Sequence, residues 1–202
     1  MKSKSFLKGA FILVFASFLV KIMGFLYQIL IVRIIGLEGI GIFNMIIPLY
    51  IMALVLITMG LPLAISKFIA EELVSQQDGA AEKILKITIT ILLLTSTLVS
   101  LSLIIFAPFL IKMLYTDPRI IPSFLILTPS LLLAAISSAI RGYFQGCQDM
   151  RPTAYTQLIE QIVRVFSGLL LVYFLSPYGL VWSSIGLAIA IVCSELAGFF
   201  YL

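Results

Sequence analysis

Residues 141–165 read RGYFQGCQDMRPTAYTQLIEQIVRV, a charged loop from Arg141 to Arg151 set directly before an apolar helix that itself carries Glu160 and Arg164. Only 11% of the chain is charged, so the placement of each charge carries information. Residues 154–175 are long enough to span a bilayer. Within them Gln157, Glu160, Gln161 and Arg164 fall at i, i+3, i+4 and i+7, one face of a helix. The other faces are Leu, Ile, Val and Phe. At a rise of about 1.5 Å per residue, Arg164 lies roughly 15 Å inside a hydrocarbon core some 30 Å thick, close to its middle. A lone charge at that depth costs about 3 kcal/mol or more. Glu160, one turn earlier, is expected to pair with Arg164. The face that remains is still too polar for lipid, so it is expected to look into the protein or into water.

The rest of the chain agrees with a membrane environment. Hydrophobic residues make up 62% of 202, mean hydropathy is +1.21, and span-length apolar runs recur from end to end. The expected fold class is therefore all-α, a polytopic transmembrane helix bundle forming one lobe over 1–202. Its spans are expected at about 6–32, 42–63, 87–110, 120–140, 154–175 and 180–202. The first apolar run is longer than a signal-peptide h-region and no small-residue cleavage site follows it, so no cleavable leader is expected. Cys147 and Cys193 lie in different segments and suggest no disulfide framework. Histidine is absent and no Cys or Asp cluster has metal-ligand spacing, so neither a metal nor a cofactor is expected. The net charge of +4 comes from basic residues scattered between apolar runs, which reports topology rather than a nucleic-acid partner.

Lys2, Lys4, Lys8, Lys67, Lys83, Lys86, Arg141 and Arg151 fall on one side of the expected bundle, against Arg33, Lys112 and Arg119 on the other. That excess predicts both termini inside. Between the spans, Gly36-Leu37-Glu38-Gly39-Ile40-Gly41 reads as a tight outer turn, with Arg33 and Glu38 at the interface. Residues 66–86 read as a cytoplasmic amphipathic hairpin turning at Gln77-Asp78-Gly79, and residues 112–119 as a short outer loop. Kinks are expected at Pro48 and at Thr128-Pro129-Ser130, the latter with hydroxyls to satisfy freed carbonyls. The hydroxyl run Thr95 to Ser102 is more readily explained by packing than by a substrate site. Gly142 and Gly146 form a GxxxG pair at a helix end and read as turn residues.

In the first span Ser17, Lys21, Gly24 and Gln28 recur at i, i+4, i+7 and i+11, giving a second polar face with a cation too deep to snorkel easily. Lys21 and Arg164 either hold helices together through acidic partners or line a pathway, the commoner role of intramembrane charge. In the second case they would give a positive central cavity suited to a phosphate or pyrophosphate group, and Glu195 in the last span is a further acid that could face either cation.

Lys21-Ile-Met-Gly24, Arg33-Ile-Ile-Gly36-Leu-Glu38-Gly39-Ile-Gly41, Gly60-Leu-Pro62 with Ile65-Ser66-Lys67, and above all 141–165 resemble the stage V sporulation protein B family. In the last stretch the resemblance rests on Arg141-Gly142, Phe144-Gln145-Gly146, Met150, Pro152-Thr153-Ala154, Gln157, Glu160-Gln161 and Arg164-Val165. That family lies in the superfamily of polysaccharide exporters, oligosaccharidyl-lipid flippases and multidrug extruders. The resemblance covers nearly the whole chain. It implies a two-lobed bacterial transporter of the cytoplasmic membrane that moves lipid-linked saccharides by alternating access, of which this chain would be the N-terminal lobe, its C-terminal lobe being absent. The substrate implied is an undecaprenyl-pyrophosphate glycan, such as a peptidoglycan precursor, with membrane lipid around it and H+ or Na+ as a coupling ion. Lys21, Gln28, Gln157, Glu160, Gln161 and Arg164 would bind it, and Gly24, Pro48, Pro129, Arg141 and Pro152 would serve structure or gating. Where the related murein lipid flippases carry a further arginine in the first helix, this chain has Tyr27, so Lys21 carries over as a cavity cation but a full arginine cluster does not.

Two other readings stand beside this one. A multidrug exporter would want an acidic cavity for cationic cargo. A membrane-embedded assembly partner would transport nothing. No nucleophile stands with a base at recognisable spacing, so an enzyme is not expected.

Overall fold

The computed structural model describes the backbone of residues 2–75, 80–115 and 117–202, with side chains from residue 9 onward except 73–80 and 116. All regular structure among them is helical: α1 (Lys2–Thr58), α2 (Leu61–Ser75), α3 (Ala80–Leu114), α4 (Ile121–Leu127), α5 (Ser130–Gly146), α6 (Arg151–Leu175) and α7 (Leu180–Tyr201). Single 3-10 turns occupy Pro118–Ile120 and Ser176–Tyr178. The protein is an all-α, multi-pass membrane bundle. Four stretches are long and apolar enough to cross a membrane, and the bent pair α4–α5 makes up to five. The expected turn at Gln77-Asp78-Gly79 and the side chains of Lys2, Lys4 and Lys8 lie outside the described residues.

The first two expected spans and the turn between them form one helical run interrupted at a single residue. Gly36 has φ 72° and ψ 177°, a conformation essentially reserved for glycine, while Gly39 and Gly41 stay helical. The chain folds back there. Gly24 and Ile47 would be roughly 35 Å apart along a straight helix, yet both line one cavity of about 240 Å³. At Pro48, where a kink is expected, α1 keeps helical dihedrals and the helix continues without a break. Buried Ile46, Leu49, Tyr50 and Ala53 around the proline pack into the core, so the missing backbone hydrogen bond is tolerated within a supported helix.

At Pro129 the chain does bend, by 44° between α4 and α5. Thr128 Oγ1 donates to the Phe124 carbonyl at 2.8 Å and Ser130 Oγ to that of Leu127 at 2.7 Å, meeting the backbone demand created by the break. The hydroxyls of α3 do likewise: Thr88, Thr90, Thr95, Ser96 and Ser102 bond carbonyls in their own preceding turn.

Two loop boundaries move. α3 continues to Leu114 and takes Lys112 into its last turn. α5 continues to Gly146 and takes Arg141, expected in a loop, into a helix. Gly142 and Gly146 are not turn residues. A Cβ on them would stand 2.6 Å from the Pro62 carbonyl oxygen and 2.8 Å from that of Ser66, so they let α5 lie against the backbone of α2. At the opposite end, Arg119 bonds Asp117 at 2.8 Å and Glu38 at 3.2 Å, tying the segment after α3 to the fold-back at Gly36. Glu38, expected at the outer interface, accepts from Arg119 there.

The main core joins Ile42, Ile46, Leu49, Ala53 and Ile57 of α1 to Phe124, Leu127, Leu131, Ala135, Ala188 and Ile191. α7 lies at the centre, packed on α6, α4, α1 and α5. Its buried residues are mostly small, including Ser183, Ser184, Gly186, Ala188, Ala190, Ser194 and Gly198, which is what close helix approach in a membrane requires.

Candidate functional site

α6 begins at Arg151-Pro152, where proline suits the first turn because its missing N–H has no partner to lose. Just before it, Asp149 accepts from the Arg151 backbone N–H at 3.1 Å and from its guanidinium at 2.9 and 3.0 Å. The guanidinium holds the Asp149 carboxyl below the usual carboxylate range. This clamp sits at the entrance of the helix.

That face meets the polar face of α1. Ser17 Oγ donates to Gln157 Oε1 at 3.1 Å, and Gln161 is buried with its amide towards Gly24, where a Cβ would stand 3.5 Å from Nε2. Lys21 lines a cavity of about 300 Å³ together with Gln157, Glu160, Gln161 and Arg164. Gln28 lies about two turns beyond Lys21, in the cavity of about 240 Å³ bounded by both arms of α1, α6 and α7. Arg164 lines both cavities and Lys21 only the first. The six expected binding residues thus line two cavities that share Gln161 and Arg164, five of them in one and Gln28 in the other. Of the five expected structural ones, Gly24 and Arg141 reach the site, Pro152 starts its helix, and Pro48 and Pro129 lie away from it.

The ion pairs differ from expectation. Glu160 does not pair with Arg164: its Oε1 accepts from Arg141 Nη1 at 2.9 Å, with the two side chains 12% and 20% exposed. Arg164 turns towards α7 instead, donating through Nε and Nη2 to Ser194 Oγ at 3.2 Å and standing 3.8 Å from Glu195 Oε1. An i, i+4 pair on one helix gains only about 0.2–0.5 kcal/mol, whereas both buried acids need a cation of their own from somewhere. Partners on neighbouring helices meet that need. Gly198 makes the arrangement possible, because any Cβ there would overlap the Glu160 carboxylate, and Gly168 leaves room for the Tyr27 ring in the same way.

Lys21 is exposed to the cavity and has no ion pair or hydrogen bond among the described residues. Together with Arg164, a third exposed, it presents donors that a bound anion can take. Ser194 and Tyr50 were not singled out from the sequence. The signal for Ser194 was its place beside Glu195, a charge deep in an apolar span; Tyr50, hydrogen-bonded to Ser130 at 3.2 Å, gave none.

Comparison with known proteins agrees with this architecture. The family described as "Polysaccharide biosynthesis protein" matches residues 6–202. Stage V sporulation protein B of Bacillus subtilis (strain 168) is 36% identical over 202 residues, all of this chain and 39% of that protein. Lipid II flippase MurJ of the same organism is 30% identical over 171 residues, covering 81% of this chain and 31% of that one. Sporulation protein YkvU, also from B. subtilis, is 27% identical over 160 residues, 79% of this chain and 34% of its own length. This chain therefore spans between about three tenths and two fifths of the curated relatives it matches. No solved structure matches it. With the family match running almost end to end, the chain belongs to the polysaccharide biosynthesis protein family.

Proposed function

We propose that this chain is the N-terminal lobe of a flippase that moves a lipid-linked saccharide, an undecaprenyl-pyrophosphate glycan, across the bacterial cytoplasmic membrane by alternating access. It acts in transport rather than catalysis, with six crossings, both termini inside, a C-terminal lobe completing the pathway and H+ or Na+ as the coupling ion. The observation that carries the reading is Lys21, unpaired among the described residues, beside the one-third-exposed Arg164 in one cavity at the junction of α1 and α6. A deep cation without a carboxylate partner is costly unless a mobile anion visits it. Gln28, Gln157 and Gln161 supply neutral donors and acceptors for headgroup or sugar. The names of two relatives, a lipid II flippase and a stage V sporulation protein, support a cell-envelope precursor as cargo. A cationic drug fits poorly, because both carboxylates at the site are already beside arginines while the free charge is positive.

The test is binding of an undecaprenyl-pyrophosphate saccharide to the purified protein beside its Lys21→Ala and Arg164→Ala variants. Each variant is expected to weaken binding at least tenfold, since a charge-assisted contact to phosphate contributes about 1.5–3 kcal/mol. Undiminished binding by both variants would remove the basis of the assignment.

A further inference from the structure

Glu195 is a buried acid to which the proposed anion site gives no task. It sits on α7 with 9% of its surface exposed; Oε1 is 3.8 Å from Arg164 Nη2, and Oε2 has no hydrogen-bond partner among the described residues. The charged and titratable groups facing it are Arg164 and Glu160 from α6, Arg141 from α5 and Tyr50 from α1. Arg141 is committed to Glu160 at 2.9 Å, so Arg164 is the cation within ion-pair distance of Glu195.

Arg164 has two sides. Ser194, oriented by its own bond to the Ile191 carbonyl at 2.8 Å, fixes the guanidinium against α7, while the rest of the group borders both cavities. An anion arriving in either cavity competes with Glu195 for the same donors. If it takes them, Glu195 becomes a nine-tenths buried carboxylate whose nearest charged neighbour on α6, apart from Arg164, is another acid. Such a group is relieved most simply by taking a proton. Charge balance points the same way: Lys21, Arg141 and Arg164 face Glu160 and Glu195, an excess of one positive charge, whereas a pyrophosphate group carries more than one negative charge. Neutralising Glu195 raises the excess to two.

We infer that Glu195 is the resting counter-ion of Arg164, displaced when a phosphate or pyrophosphate group binds, and that the displaced carboxylate takes up one proton from solvent. The inference deepens the flippase reading and rests on it. Its signature is an anion affinity that rises as pH falls, by up to about tenfold per pH unit while the proton is being taken up.

Two measurements decide it. The first needs no ligand: in Arg164→Gln, Glu195 loses its cation, and a protonated-carboxyl infrared band is expected at neutral pH that disappears in the Arg164→Gln, Glu195→Gln double variant. No such band overturns the inference. The second is calorimetry of undecaprenyl pyrophosphate, and separately of inorganic pyrophosphate, binding in buffers of different ionisation enthalpy. Wild type is expected to take up about one proton per anion, and Glu195→Gln none, with affinity flat in pH. Uptake with both probes assigns the site to the pyrophosphate group itself, and uptake with the lipid alone assigns it to the lipid-borne group. Binding by the wild type without proton uptake overturns the exchange and leaves the functional reading standing, whereas no binding of either probe overturns both.

Discussion

Arg141 and Glu160 show how a single contact orders the charges of this site. At 2.9 Å, with both side chains mostly buried, the pair frees Arg164 from the acid one turn away on its own helix and turns it towards α7. Removing one partner leaves the other buried and uncompensated, which in buried pairs costs about 3–5 kcal/mol. Arg141→Ala is therefore expected to lower stability by about that amount, read as a drop in thermal unfolding temperature in detergent, and adding Glu160→Gln should recover part of it. A single variant as stable as wild type would mean that Glu160 finds Arg164 instead, restoring the pair expected from sequence spacing.

The polar face of α6 depends on where that helix starts. Asp149 holds the start by accepting from the backbone and the guanidinium of Arg151. Its carboxyl titrates below the usual range, so whatever it contributes is fully present above the ordinary aspartate value of about 3.9 and is lost as pH falls through the lower folded value. Hydrogen exchange at the amides of residues 153–156 is expected to be unchanged from neutral pH down to about that value and to quicken below it, once corrected for the intrinsic pH dependence. Asp149→Asn should show faster exchange already at neutral pH. A variant indistinguishable from wild type would mean that packing against neighbouring helices alone defines the start of α6. The same element also shows what sequence periodicity leaves open. The spacing of Gln157, Glu160, Gln161 and Arg164 defines a shared face, but not which helices lie opposite, and those partners determine the ion pairs.

At the scale of the whole molecule, the site exists because α1 folds back at Gly36 and brings two arms of one helical run to the same cavity as α6 and α7. No atom lies within 4 Å of where a Gly36 side chain would start, so the cost of Gly36→Ala is conformational and of the order of 1–3 kcal/mol. That variant is expected to lose stability by this amount in detergent. The control Gly41→Ala, at a helical position that is equally open, should be neutral or slightly stabilising. Equal effects at the two positions would show that the fold-back does not depend on the glycine conformation.

Composition and apolar run length were enough to establish a polytopic helical membrane protein, because lipid offers backbone groups no other partner and side chains no other solvent. Local pattern also marked the two polar faces and the break at Pro129, since both depend on residues close in sequence. The fold-back confined to Gly36, the unbroken passage through Pro48, the packing of Gly142 and Gly146 on α2, and the pairing of Arg141 with Glu160 were decided only by the tertiary structure. In each case the deciding partner is distant in sequence or the choice lies between competing partners. A buried charge takes the counter-charge that packing brings within reach, which the spacing along one helix does not specify.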